Sequence, residues 1–337
     1  MKKMTLGVVA FLALAGLTVP GAFFEKPPGW PEPVYSFKQN KLSAEKIRLG
    51  KVLFYDPGLS ENNLISCASC HSSFSAFAHT DHALSHGIRD SIGTRNAPAL
   101  MNLAWQPVFM WDGAVNNLDM QALAPISHKA EMGSSIQTVV SKLRNRILYR
   151  RLFKAAFGDS IATGEHTLKA LSQFMLSLTS ANSRYDRMKR GEETFNEQEQ
   201  KGYRLFQKHC ASCHAEPLFT THGFANNGLA VDTVLGDYGR MQITHNKNDS
   251  LRFKIPTLRN IAYTYPYMHD GRFKKLSQVL EHYTGGIQQS ATLAPQLREK
   301  IALSSHDKVD LIAFLLTLSD KEFVFNKKHG FPEELMK

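Results

Sequence analysis

The chain has 337 residues, enough for two domains of ordinary size, with 43% hydrophobic and 21% charged residues. That balance excludes a disordered chain. The formal charge is +10 and the pI is near 9.3, yet no aromatic-interleaved basic patch points to nucleic acid. The basic surface reads as solubility, or as a match for an acidic or neutral partner.

Residues 1–22 read as an export signal or N-terminal anchor. Lys2 and Lys3 form the charged start and residues 4–19 the apolar stretch. Ala22 ends a small-residue segment, but Pro20 is a poor cleavage context, and the better Ala13-Leu14-Ala15 match leaves a short apolar core. A retained anchor is therefore the alternative to cleavage. Residues 27–33 (PPGWPEP) form a stiff linker.

A helical stretch over residues 46–54 carries Gly50-x-x-Leu53-Phe54, and the pattern returns as Gly202-x-x-Leu205-Phe206. Each copy stands just ahead of a cysteine pair, so each half reads as an amphipathic helix, a loop and a closing helix. Between them, Ser134-Ser135 opens a helix with Val139, Val140 and Leu143 inside it. The longest helical signal covers residues 166–185. The polar run 186–193, with Gly191, is the expected domain join. Residues 232–239 read as loop. A last helix is expected over residues 306–318, with Val309, Ile312, Leu315 and Leu316 as its apolar positions. The expected architecture is mostly α: domains at 34–188 and 194–320, then a tail at 321–337.

All four cysteines fall in two copies of one pentapeptide, Cys67-Ala-Ser-Cys70-His71 and Cys210-Ala-Ser-Cys213-His214. C-x-x-C-H attaches a c-type haem: both thiols add to vinyl groups and the adjacent His reaches the iron. A zinc site needs more compact spacing than two pairs about 140 residues apart. Disulfides would not explain a His after each pair. The reading is two covalent haems, a redox protein, and export to the periplasm, where bacteria make the thioether bonds.

Further motifs appear in order: residues 94–102 (TRNAPALMN), Trp111-Asp112-Gly113, Gln121 with Pro125, Glu131-Met132-Gly133, residues 255–260 (IPTLRN) and residues 267–271 (YMHDG). With the two C-x-x-C-H motifs, the chain resembles the bacterial di-haem cytochrome c peroxidases and their MauG-type relatives from about residue 43 to 318. The resemblance implies that His71 and His214 are proximal ligands. It makes the first haem the peroxidatic one and the second the electron-transfer haem. Glu131 matches a carboxylate that moves a proton during peroxide cleavage, Gln121 a pocket amide, and Pro125 an apolar wall. Taken alone, Glu131 reads as an acid at a helix start. Trp111 matches an indole between the haems; it reads equally as a core aromatic.

The sixth ligand of the second haem divides that family. Typical peroxidases place Met fourteen residues after the His of H-D-G; here that position is Tyr283, as in MauG-type proteins. A phenolate favours high-valent iron and a low potential, whereas a thioether raises it. Tyr283 also reads as a packed aromatic, and Met268 is a rival ligand. The loop His that caps the first iron in many peroxidases falls near Ile88, with His79, His82 and His86 close by. Asn96, Thr264 and Pro266 match a calcium site of oxygen ligands. The expected function is periplasmic reduction of hydrogen peroxide to water with electrons from a small cytochrome c or cupredoxin. The alternatives are a MauG-type oxidase of a partner protein and a non-catalytic electron carrier. A homodimer is compatible with all three.

Overall fold

The computed structural model describes residues 24–336. The proposed export segment lies outside the described residues. Helices dominate; the only regular strand pair among the described residues joins Phe224–Ala225 to Phe253–Lys254, antiparallel.

Each half is built on one crossing of two helices. In the first, Ala44–Tyr55 crosses Gly164–Leu176; in the second, Glu197–His209 crosses Ser305–Leu316. The repeated glycine explains both crossings. A Cβ on Gly50 would lie 1.9 Å from the Ala170 carbonyl oxygen, and one on Gly202 would lie 1.9 Å from that of Asp310. Only hydrogen at these positions lets the backbones meet. Leu53, Phe54, Phe174 and Phe153 then fill the first core, and Phe206, Phe219, Leu311 and Phe314 the second.

Three sequence expectations are corrected. The helix expected over 166–185 stops at Leu176, and a separate helix, Arg184–Lys189, begins after Ser183 caps it. The Ser177 and Ser183 hydroxyls bond locally, to the Phe174 carbonyl and the Asp186 carboxylate, while Ser180 N–H donates to the distant Asn102 Oδ1; these bonds replace the helical ladder. Tyr185 already belongs to the second core, so the chain changes core ahead of the polar run at 186–193. In Ser305–Leu316 the buried face is Leu311, Phe314 and Leu315, while Val309 and Leu316 face solvent. The tail, finally, is not an appendage. Phe323 and Val324 are buried in the first core, and the Tyr55 hydroxyl donates to the His329 carbonyl at 2.6 Å.

The structure also contains a repeat that the sequence reading did not find. Residues 97–125 and 255–283 correspond at a constant spacing of 158. Pro98, Asn102, Met110, Asp112, Gly113 and Leu118 recur as Pro256, Asn260, Met268, Asp270, Gly271 and Leu276. The geometry repeats with the letters. Asn102 and Asn260 are both left-handed, at φ 57° and 56°. Their N–H groups donate to Leu178 and Leu318 carbonyls, each at 2.9 Å. Met110 and Met268 also have positive φ, and the bridges Phe109–Val115 and Tyr267–Phe273 are equivalent. Where the halves meet, the repeat exchanges partners. Asn96 N–H donates to the His269 carbonyl and Lys254 N–H to the Trp111 carbonyl, each at 2.7 Å. Positions 96 and 254, and 111 and 269, are equivalents, so the two bonds are related as by a two-fold axis.

Candidate haem-binding active site

Both C-x-x-C-H motifs open into one cavity of about 570 Å³. Cys67–Cys70 is a single helical turn and Cys210–Cys213 a turn running on from the Glu197–His209 helix; in both the His N–H donates to the first Cys carbonyl at 2.9 Å. The four thiols form no disulfide. Burial pushes the Cys67 and Cys210 thiols up to about 12.

The two histidines are prepared as neutral ligands. His71 Nδ1–H donates to the Phe77 carbonyl at 2.7 Å. His214 Nδ1–H lies between the Phe219 and Pro256 carbonyls, at 3.2 Å and 3.1 Å. These bonds fix the tautomer and leave each Nε2 for a metal. Burial holds both imidazoles down to about 4, opposed by those carbonyls and, at His71, by that of Pro98. Two thiols and one neutral imidazole on each side of a shared cavity fit two c-type haems.

On the first-haem side, Gln121, Pro125, His128 and Glu131 line the same cavity as Cys70 and His71. Gln121 ends the short helix Leu118–Gln121, and its Nε2 points at Met110 Sδ, 3.7 Å away. Pro125 sits in the next helix, Leu123–Ser127. Glu131 is half-buried on the turn that follows. Burial raises its pKa, and His128, with Nδ1 3.7 Å from the carboxylate, opposes the shift. The turn is held from beneath: Ile88 N–H donates to the Glu131 carbonyl at 2.8 Å, and a Cβ on Gly87 would lie 2.5 Å from Glu131 Cα. Ile88 is buried against Gly133. His79, His82 and His86 do not line the cavity; His82 and His86 stack at 4.2 Å and His79 lies tilted against His82 at 5.6 Å.

On the second-haem side, Tyr283 sits in a single π-helical turn, His282–Gly286. Such turns often mark functional positions. It lines the cavity with Cys210, Cys213 and His214. Burial raises its phenol to about 12, with Asn227 opposing. Asn227 Nδ2 also donates to Met268 Sδ at 3.4 Å, and Met268, the rival ligand, lines the same cavity. The repeat places Tyr283 opposite Pro125 and Val279 opposite Gln121. That ungapped spacing was the signal that could have found the pairing.

Trp111 lies between the halves, its indole N–H donating to the Asn96 carbonyl at 2.8 Å. Asn96, Thr264 and Pro266 all line the cavity. The Asn96 amide Nδ2 is committed to the Ala83 carbonyl at 3.0 Å, which leaves its oxygen available. Arg95 adds an interdomain clamp that sequence reading missed. It donates twice to Asp237, at 2.6 Å and 2.8 Å, and once to Asp112 at 2.5 Å.

The fold and the paired sites define a di-haem protein with two cytochrome c-type domains. Comparison with known proteins agrees. Residues 44–194 match the di-haem cytochrome c peroxidase family and residues 199–319 the cytochrome c family. The chain is 35% identical over 309 residues to methylamine utilization protein MauG of Methylorubrum extorquens, covering 88% of this chain and 83% of that protein. It is 35% identical over 256 residues to cytochrome c551 peroxidase of Nitrosomonas europaea, covering 74% and 76%. A solved MauG-like protein associated with microbial copper homeostasis superposes with a TM-score of 0.83 at 32% identity, covering 92% of this chain and 99% of that one. The chain belongs to the di-haem cytochrome c peroxidase and MauG family.

Proposed function

We propose that this protein is an exported, MauG-type di-haem oxidase, which uses hydrogen peroxide to withdraw electrons from a partner protein. The observation that carries the reading is Tyr283, half-buried and lining the cavity beside the second C-x-x-C-H motif, where a peroxidase would present Met. A phenol pushed up to about 12 ionises only beside a cation. The haems, when bound, supply that cation at iron, together with the peroxide and electron-transfer chemistry.

The chain's own residues do the rest. Glu131, held by Gly87 and Ile88, accepts a proton from one peroxide oxygen and returns it to the other. Its raised pKa brings it closer to the working pH than an ordinary carboxylate. Gln121 orients the peroxide and Pro125 keeps that face apolar. Trp111 offers an aromatic step between the halves. Asn96 Oδ1 with the Thr264 and Pro266 carbonyls would hold one Ca²⁺, a hard ion suited to such oxygens. Chelation with EGTA is then expected to suppress peroxide reactivity, and added Ca²⁺ to restore it. Because the MauG-like structural relative is associated with copper homeostasis, an exported copper-handling protein is one partner class to test.

The second reading is peroxide reduction with electrons from a small cytochrome c or cupredoxin. It is supported by the identity to cytochrome c551 peroxidase. One experiment separates them. Peroxide is added to the oxidised di-haem protein with and without a reduced donor, and spectra are followed. A long-lived oxidised product with poor donor turnover supports the oxidase. Fast donor oxidation supports the peroxidase. No spectral change supports a plain electron carrier.

A further inference from the structure

Lys254 stands on the Phe253–Lys254 strand, where the two halves meet. The residue is 8% exposed and lines the cavity that both haem motifs share. Its backbone is held on two sides, by the Trp111 carbonyl and by pairing opposite Phe224. The other deeply placed cations are neutralised by carboxylates: Arg259 by Asp186, and Arg95 by Asp112 and Asp237. Among the described residues no carboxylate lies within ion-pair distance of the Lys254 ammonium, and none offsets its burial, which pushes it down to about 7. Its one titratable neighbour of note is His222, itself held neutral by burial, with Nε2 unpartnered. A buried ammonium without a counter-charge is costly. A carboxylate in what fills the cavity would keep that ammonium charged.

A haem brings two carboxylates of its own. We propose that Lys254 is the counter-ion of a haem propionate in the cavity between the two domains. The repeat supports the placement. Lys254 is the equivalent of Asn96, and both flank the inter-domain contact through the exchanged 2.7 Å bonds to Trp111 and His269. The second copy thus carries a fixed cation where the first carries a neutral amide. A positive charge beside a haem favours its reduced state, so Lys254 biases one haem against the other. The proposal depends on haem occupancy alone and holds for oxidase and peroxidase alike.

The test uses the mature di-haem protein and two readouts: spectroelectrochemical titration of each haem, and the propionate bending bands in resonance Raman. Lys254→Met is expected to shift one haem about tenfold toward oxidised at fixed potential, about 59 mV for one electron, and to move that haem's propionate band. Lys254→Arg keeps both near wild type. Unchanged potentials and bands in Lys254→Met would overturn the proposal. If that variant fails to mature, Lys254→Gln, polar but uncharged, must show the same shift. A crystal structure of the mature wild type decides it without any variant: Nζ within about 4 Å of a propionate oxygen is expected, and a longer separation from all four propionates sinks it.

Discussion

Arg259 and Asp186 form a bidentate pair, with both N–O distances at 2.8 Å, inside the boundary between the two cores. The guanidinium is fully buried and also donates to the Pro217 carbonyl, while its face covers the Trp30 ring at 4.5 Å. Trp30 belongs to the first core, so one arginine ties the halves together. Removing one partner leaves a buried charge unpaired. Asp186→Asn is expected to cost about 3–5 kcal/mol. Burial raises the Asp186 pKa, but Arg259 and Ser183 more than offset it, so the folded value is lowered. Its stabilisation is complete above the ordinary carboxylate range and is lost as pH falls through the lowered value. Thermal unfolding of wild type and variant from neutral to strongly acidic pH checks this; parallel curves would count against it.

Gly50 and Gly202 make the same argument in each domain. Gly50→Ala and Gly202→Ala each force a methyl to within 1.9 Å of a carbonyl oxygen. Each is expected to cost about 3 kcal/mol, at the upper end of ordinary overpacking. Limited proteolysis distinguishes them: the first loosens the His71 domain and the second the His214 domain. Equal stability to wild type would show that the helix pairs can slide apart cheaply.

Glu131→Gln removes the proton acceptor but keeps shape. A loss of about 10²–10⁴ in the rate of peroxide reaction is expected, with the resting haem spectrum unchanged. Because burial raises the Glu131 pKa, the wild-type rate should fall as pH drops through a value above the usual carboxylate range. The variant should lack that limb. Stopped-flow spectra across pH provide the measurement, and a shared acid limb would assign the titration elsewhere.

Tyr283→Met exchanges a phenol for a thioether. The potential of the second haem should rise, on the order of a tenth of a volt within the roughly 0.8 V that axial ligands span. The first haem should hold its value. Potentiometric titration decides; no shift at the second haem would mean that Tyr283 does not reach the iron.

Much of the site was legible because covalent chemistry writes itself locally. C-x-x-C-H needs two thiols and an imidazole at fixed spacing, so His71 and His214 could be read directly. The glycine repeat was also legible, since close helix contact tolerates only one residue type. Helix ends were harder. Nothing in the periodicity of residues 166–185 announces that Ser177, Ser180 and Ser183 take hydrogen-bond partners outside the helical ladder. The repeat at a spacing of 158 lay in plain view, but its chemistry had diverged, Trp111 against His269 and Pro125 against Tyr283, and the letters alone did not draw the comparison.

Two haems and two helical domains follow from the amino-acid sequence, because each rests on residues close together in the chain. What brings Glu131 over the Gly87–Ile88 loop, returns the tail to the first core and leaves Lys254 facing the shared cavity is decided only in three dimensions. Those relationships join residues far apart in the chain. Their energetics depend on which charges and carbonyls burial brings together, and only the folded chain specifies that.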